Sequence, residues 1–175
     1  METGQIVAKL FMGMLASSEE FLQKARREVE SRYGAIDLQS AIFPFDYTTY
    51  YNEEMGNRML RQFVSFDRLF DPGELKRIKR ETIGIERGMS ERGKRRANLD
   101  PGYVNLSTVV LATTKDASYR VYFGDGLYGQ ATLFYQKGRF EPFEWTYKDY
   151  REEESLRFFG EVRGRLKEQL REGRK

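Results

Sequence analysis

The spacing of apolar residues predicts that the chain opens with a buried strand and an amphipathic helix. The apolar run from Gln5 to Leu15 has the length and composition of a buried strand. A helix follows, because Ser17 and Glu20 form a capping-box pair at its start and Gly34 suits its end. Its inward stripe consists of Leu22, Ala25 and Val29.

Two further segments read as strands. The segment from Ile36 to Tyr51 is rich in β-branched and aromatic residues, but Pro44 lies inside it and cannot donate to a sheet ladder. We therefore expect this strand at a sheet edge. The segment from Leu60 to Phe70 alternates in part between apolar and polar residues, which favours a third strand.

A second helix begins at Asp71, where Pro72 and Glu74 supply the first-turn residues that helices prefer. Its inward stripe consists of Leu75, Ile78, Thr82 and Ile85. A short strand from Arg96 to Leu99 would complete the order β-α-β-β-α-β. That order is the ferredoxin-like arrangement.

The pattern of residues in the second half of the chain predicts antiparallel strands and a closing helix. The strands are Val104 to Thr113, Tyr119 to Gly124 and Tyr128 to Tyr135. The turn Gly124-Asp125-Gly126 makes the last two a hairpin. Asp149 caps the closing helix, which runs from Tyr150 to Gln169. The prediction is therefore one α+β domain over residues 1–171, with a charged, disordered tail over residues 172–175.

The amino-acid composition limits the kinds of reaction that the protein could catalyse. The sequence contains no Cys and no His, which excludes thiol nucleophiles, serine triads of the usual kind and typical zinc sites. Carboxylates, Lys, Tyr and hydroxyls remain as reactive groups. The net charge is only +3, so the position of the charges matters more than their sum. No apolar run is long enough to span a bilayer and no export signal is present, so we expect a cytoplasmic protein.

Positive charge is concentrated in one loop, at Arg92, Lys94, Arg95 and Arg96. The simple interpretation is a solvated loop balanced by nearby glutamates. The functional interpretation is contact with phosphate, which arginine can bind in a bidentate manner.

The next residues, Asn98 to Tyr103, combine turn chemistry with potential ligands. If these residues have only a structural role, Asn98 and Asp100 would accept hydrogen bonds from local amides and Gly102 would adopt a left-handed conformation in a Pro-Gly turn. If they form a binding site, Asn98 and Gly102 would help to bind phosphate, and Asp100 would hold Mg²⁺ or act as a general base.

A second polar group follows the strand that Pro44 interrupts, and it consists of Thr48, Tyr50, Tyr51 and Glu54. A hydrogen-bond network at a sheet edge is its simple interpretation. If Glu54 lies near Asp100, the two carboxylates are candidates for catalysis or for a shared cation. Lys115 and Arg120 flank a short turn and are candidates for the same cleft.

Four stretches resemble a known family: FDYTTYYNEEMG, RRANLDPGYV, LATTKD and WTYKDYR, which begin at Phe45, Arg95, Leu111 and Trp145. It is an uncharacterised bacterial family catalogued as a domain of unknown function. Some members carry an automated label of GTP-binding protein. The resemblance implies a shared fold and no established activity. The sequence has neither a GxxxxGK[ST] loop nor the guanine-reading Asn-Lys-x-Asp, so it does not predict a P-loop GTPase.

Three hypotheses follow. The first is a cleft near the basic loop that binds a phosphate-bearing ligand, a nucleotide or an RNA end, with Mg²⁺ as the candidate ion. The second is a non-catalytic RNA- or DNA-binding module, which requires a positive stripe with open aromatic faces. The third is an interaction or scaffold domain, which requires Leu156, Phe159 or Val162 to be exposed on the closing helix.

Overall fold

A computed structural model describes residues 6–173 of the chain. In these residues five helices flank a nine-stranded sheet, so the protein is of the mixed α+β class. The strands are β1 Ala8–Ala16, β2 Ile36–Gln39, β3 Phe43–Phe45, β4 Met59–Phe70, β5 Ala97–Val104, β6 Thr108–Thr113, β7 Val121–Gly124, β8 Leu127–Gln136 and β9 Arg139–Pro142. The helices are α1 Glu19–Tyr33, α2 Asn52–Met55, α3 Leu75–Gly88, α4 Lys148–Arg151 and α5 Glu153–Glu172.

The sheet is antiparallel, with the order β2-β4-β1-β5-β6-β8-β7, while β3 also pairs with β4 and β9 with β8. The central strand β1 is buried along its whole length. Burial on both faces explains why its sequence is almost continuously apolar instead of alternating.

Alternate residues of β1 contribute to two separate cores. Met12 and Met14 pack with the stripes of α1 and α3 on one face of the sheet. Phe11 packs with Phe159 and Val162 of α5 on the other face. The sheet is therefore covered by α1 and α3 on one side and by α5 on the other. Within residues 6–173, no helix combines the length and apolar character needed to cross a membrane.

The predicted first helix is confirmed, but its cap is Ser18 and not Ser17. Ser18 Oγ accepts a hydrogen bond from the amide of Phe21 at 3.3 Å. The Ser17 amide instead donates to the carbonyl of Arg96, at the start of β5. Gly34 ends the helix with a φ of 104°, as its sequence position predicts.

Two predicted strands are each divided in the structure. The segment from Ile36 to Tyr51 forms β2 and β3 and then a turn, with Pro44 on the short strand β3. The segment from Val104 to Thr113 is interrupted because the Asn105 side chain accepts from the amides of Ser107 and Thr108, which closes a turn between β5 and β6. The hairpin of β7 and β8 around Asp125 is confirmed.

The predicted Pro-Gly turn is wrong, because Pro101 and Gly102 lie inside strand β5. Gly102 is not left-handed. A Cβ at this position would lie 2.3 Å from the carbonyl oxygen of Val110 and 2.5 Å from the ring of Phe11. Glycine is therefore needed for close packing between strands and not for a turn.

The closing helix is also divided. Glu152 is extended between α4 and α5, so α5 begins at Glu153 rather than at Tyr150. The region before it, which the sequence marks only as aromatic and irregular, contains strand β9. Of the predicted tail, Glu172 is the last residue of α5, and residues 174 and 175 lie outside the described residues.

Candidate functional site

The site begins where the sheet divides between β5 and β6. In the described chain, β6 pairs with β5 only from Gly102 to Val104, whereas β1 pairs along the whole of β5. The first half of β5 therefore presents a free edge. Pro101 is tolerated there, since proline lacks the donor that a paired strand would need.

Side chains of α3 satisfy this free edge. The Leu99 amide donates to Glu86 Oε1 at 2.7 Å, and Lys79 Nζ donates to the Leu99 carbonyl at 2.9 Å. Because a buried backbone group without a partner is costly, the two side chains replace the missing strand. Burial raises the pKa of the Glu86 carboxyl, although Lys79 and the Leu99 amide oppose the shift.

A buried arginine lies beneath the same opening. Arg61 of β4 is 4% exposed, its Nε lies 2.9 Å from Asp149 Oδ2, and its Nη1 lies 3.5 Å from Asp100 Oδ2. Burial disfavours the charged guanidinium, but Asp149 and Asp100 outweigh it and hold the pKa of Arg61 above its usual value.

Some donors at this point lack an acceptor. The contact between Arg61 and Asp149 is close enough for an ion pair, but it is not aligned as a hydrogen bond. The Tyr150 hydroxyl is fully buried and has no hydrogen-bond partner among residues 6–173. Burial raises the pKa of this hydroxyl well above its usual value, so it remains a donor.

The prediction that Asp149 caps a helix is wrong. Asp149 lies inside α4, it is 2% exposed, and its carboxylate faces Arg61. Burial raises the pKa of its carboxyl, and Arg61 opposes that shift. The missed signal was Arg61 itself, because a cation beside the apolar residues Leu60 and Phe63 of a predicted strand requires a carboxylate partner elsewhere once it is buried.

Four predicted residues form one continuous network. Asn98 Nδ2 donates to Asp100 Oδ2 at 2.8 Å, and Arg95 Nη1 donates to Asn98 Oδ1 at 3.4 Å. Arg95 Nε also donates to Glu54 Oε2 at 2.6 Å. The residues predicted from the sequence are therefore neighbours in the fold. Glu54 bonds to Arg95, however, and does not line the cavity that these groups surround.

These groups surround a cavity of about 740 Å³ between the divided strands. Its deep part, here called the floor, consists of Arg61, Lys79, Glu86, Asp100 and Asp149. Its outer cations, here called the rim, are Arg87, Lys115 and Lys148. The other lining residues include Phe45, Tyr47, Thr48, Tyr50, Tyr51, Arg95, Asn98, Trp145, Tyr147 and Tyr150. The predicted polar group Thr48, Tyr50 and Tyr51 thus lies on the wall.

Cations outnumber carboxylates around the cavity, with six against three. The three rim cations are exposed and lie on different elements: Arg87 on α3, Lys115 between β6 and β7, and Lys148 on α4. In the described part of the chain none of them forms an ion pair with a carboxylate. Lys115 Nζ lies 3.8 Å from the centre of the Tyr50 ring. Positive charge at the rim is therefore largely uncompensated.

Three other predicted residues lie outside the lining. Arg96 pairs with Glu91 at 3.4 Å, and Gly102 packs between strands. Arg120 donates to Gln130, to the Lys115 carbonyl and to the Tyr147 hydroxyl, at 2.8, 2.7 and 2.7 Å. Arg120 therefore holds the position of the loop and of Tyr147.

The segment from Gly88 to Lys94 matches GxxxxGK, but Arg95 occupies the position of the Ser or Thr. A P-loop follows a strand and opens a helix. This segment instead follows α3 and precedes β5. The backbone needed for a P-loop is therefore not formed here.

Fold and site together define an α+β protein whose antiparallel sheet divides to form a cavity with a positive rim. One protein family, described as Domain of unknown function (DUF4416), matches the chain over residues 6–165. The chain belongs to this family. No curated protein and no solved structure matches it.

Proposed function

We propose that the cavity binds a small phosphate-bearing ligand, such as a nucleotide, an RNA end or a sugar phosphate. The observation that carries this proposal is the rim, where Arg87, Lys115 and Lys148 line one opening without carboxylate partners among residues 6–173. Like charges that converge from three elements repel one another, and an anion placed between them relieves that repulsion.

The size of the cavity supports a small ligand. Its volume of about 740 Å³ falls within the range of about 300–1,000 Å³ that small-molecule sites occupy. Aromatic side chains on its wall, among them Tyr47, Tyr50 and Tyr147, offer apolar surface beside the charges. That combination is typical of sites for organic phosphates rather than for free ions.

The proposal needs no metal ion. Asp100 already lies 3.5 Å from Arg61 and 3.6 Å from Lys79, and Glu54 pairs with Arg95. Residues 6–173 contain no group of three or more acidic side chains placed to hold a metal. A Mg²⁺ site at Asp100 and Glu54 therefore stays a prediction, as does the cytoplasmic location.

A ferredoxin-like core is the proposed scaffold of the first half. In a split β-α-β unit, a strand from later in the chain lies between the two strands that the first helix joins. The order β2-β4-β1-β5 supports this arrangement, since β4 lies between β1 and β2. The second half then extends that sheet with β6, β8, β7 and β9.

The two alternative functions receive less support. Most basic residues of α3 have carboxylate partners within the described chain, since Lys76 and Arg80 pair with Asp125 and Arg77 pairs with glutamates. A free positive stripe on α3 therefore has less support. Phe159 and Val162 of α5 are fully buried and Leu156 is half-buried, so the apolar patch of the scaffold hypothesis has less support as well.

A thermal-shift screen with nucleotides and phosphosugars tests the proposal. A ligand at a hundred times its Kd should stabilise the fold by about 2.7 kcal/mol, which raises Tm measurably. Lys115→Ala combined with Arg87→Ala should abolish the shift at the same ligand concentration. Both residues are exposed, so the double variant should fold normally.

Matched controls are Lys24→Ala and Lys167→Ala, which remove exposed cations from α1 and α5, far from the cavity. They should leave the ligand-induced shift unchanged. The proposal would be wrong if no phosphate compound raised Tm, or if the control variants lost the shift as completely as the rim variants.

A further inference from the structure

The floor of the cavity differs from the rim, because its cations have carboxylate partners. Arg61 lies near Asp149 and Asp100, Lys79 lies near Asp100, and the adjoining Arg95 lies 3.5 Å from Glu86. A phosphate driven to the floor would meet these carboxylates without a surplus of positive charge, in a partly desolvated place where repulsion is strong. The cavity is therefore polarised, and a ligand that fills it needs two chemically different ends.

Asp100 is the floor carboxylate that a ligand can reach. Its side chain is 21% exposed, compared with 3% for Asp149 and 5% for Glu86. It accepts one hydrogen bond within the described chain, from Asn98, whereas a carboxylate offers about four acceptor positions. Arg61 and Lys79 lie at ion-pair distances and leave acceptor positions free. Asp100 is thus built to accept from a ligand donor.

Unused donors lie beside that acceptor. Among residues 6–173, Arg61 Nη1, which is 3.5 Å from Asp100, has no aligned hydrogen-bond partner, and neither has the Tyr150 hydroxyl. Both lie 3.2 Å from the position that a Cβ on Gly13 would occupy. Both atoms are shielded from solvent, so Asp100 is the floor group that a ligand meets. A hydroxyl both donates and accepts, whereas a phosphate dianion only accepts.

We infer that the ligand is a phosphate ester of a hydroxyl-bearing group such as a sugar, with its phosphate at the rim and an uncharged hydroxyl donating to Asp100 at the floor. This inference rests on the proposed function and adds the ligand's orientation and the chemistry of its second end. Trp145 is already stacked with Tyr119 and Phe143, whose ring centres lie 5.2 and 4.7 Å away. Hydroxyl recognition, rather than base stacking on this ring, is what distinguishes the ligand.

Calorimetric titration of the wild-type protein tests the inference with three probes: inorganic phosphate, methyl phosphate and ribose 5-phosphate. Ribose 5-phosphate should bind at least about tenfold more tightly than the other two, the difference that one good hydrogen bond to a charged group supplies. Adenosine 5′-monophosphate shows whether a base adds to that gain.

Asp100→Asn should remove the advantage of ribose 5-phosphate while inorganic phosphate binds as tightly as before or more tightly. Asp125→Asn is the control, because Asp125 pairs with Lys76 and Arg80 outside the cavity.

The outcomes separate the two proposals. Equal affinity of the wild type for methyl phosphate and ribose 5-phosphate would overturn the inference and leave the phosphate site standing. Failure of all probes to bind would overturn both. If Asp100→Asn does not fold, the wild-type series still decides the question.

Discussion

Two buried cations lie on the same face of the sheet, at opposite ends of the neighbouring strands β1 and β4. Lys9 of β1 is fully buried and pairs with Asp37, and its Nζ also donates to the Asp67 carbonyl at 3.3 Å. The other oxygen of Asp37 accepts from Ser65 Oγ at 2.6 Å. Arg165 of α5 lies 3.9 Å from Asp37 and covers this network.

Arg61 has the same kind of partners but a different environment. Its contact with Asp149 is not aligned as a hydrogen bond, and a cavity opens above it. The neighbouring Tyr150 hydroxyl has no partner in the part of the chain that the structure describes. The Lys9 network is closed and each charge in it is bonded, so its role is structural. The Arg61 network keeps unused hydrogen-bonding capacity, which is what a binding site needs.

Asp37→Asn should produce the largest effect, because it leaves Lys9 buried beside a neutral amide. The loss of one partner from a buried pair costs about 3–5 kcal/mol of unfolding free energy. Urea denaturation measures it, and Arg165→Ala, which removes only a half-buried partner 3.9 Å away, should change stability little. A loss below about 1 kcal/mol would show that Lys9 finds another acceptor. The Lys9 network would then not be the closed structural network described above.

Asp149→Asn should cost less, about 1–3 kcal/mol, because Asp100 remains 3.5 Å from Arg61. The same urea experiment measures the difference between the two variants. If Asp149→Asn proves as damaging as Asp37→Asn, then Asp100 does not share the charge of Arg61, and the floor is not the open network described above.

Much of the fold could be predicted from local patterns. The stripes of α1 and α3 and the stop at Gly34 depend on residues a few positions apart, so the sequence carries them directly. The strand at Pro101 and Gly102 could not be predicted, because a Pro-Gly pair normally signals a turn. It is tolerated only because the sheet divides there, which is a property of the assembled sheet.

Part of the site could also be predicted from residues that lie close together in the sequence. Asp100, Asn98, Arg95 and Lys115 lie in or near one polar stretch, and the fold brings them together at the cavity. Arg61 was missed because it is one of several polar residues in a strand that alternates only in part. Asp149 was missed because its position before a helix resembles a cap. Their pairing joins distant parts of the chain, which no local pattern records.

Gly13→Ala tests how tightly the floor is assembled. A Cβ there would lie 3.2 Å from Arg61 Nη1, from the Phe63 ring and from the Tyr150 hydroxyl. Overpacking of this kind costs about 1–3 kcal/mol. Gly84→Ala on α3, where nothing lies within 4 Å, should instead stabilise the protein by up to about 1 kcal/mol. Thermal unfolding of the two variants should therefore move in opposite directions.

Glu86→Gln should produce the smallest effect, and only as a change in pH dependence. Burial raises the pKa of Glu86 in the folded state, so the native protein holds this proton at pH values where the unfolded chain has released it. The stability that comes from Glu86 is therefore present below the ordinary carboxyl pKa and is lost as pH rises through the folded pKa. Glutamine keeps an oxygen for the Leu99 amide and does not titrate. The free energy of unfolding of the wild type should thus decline relative to Glu86→Gln as pH is raised from 4 towards neutrality.

Glu161→Gln, an exposed change on α5, provides the reference curve. A wild-type curve parallel to that of Glu86→Gln across this range would mean that the strand edge at Leu99 is hydrated, and the cavity floor would then be wetter than its burial indicates.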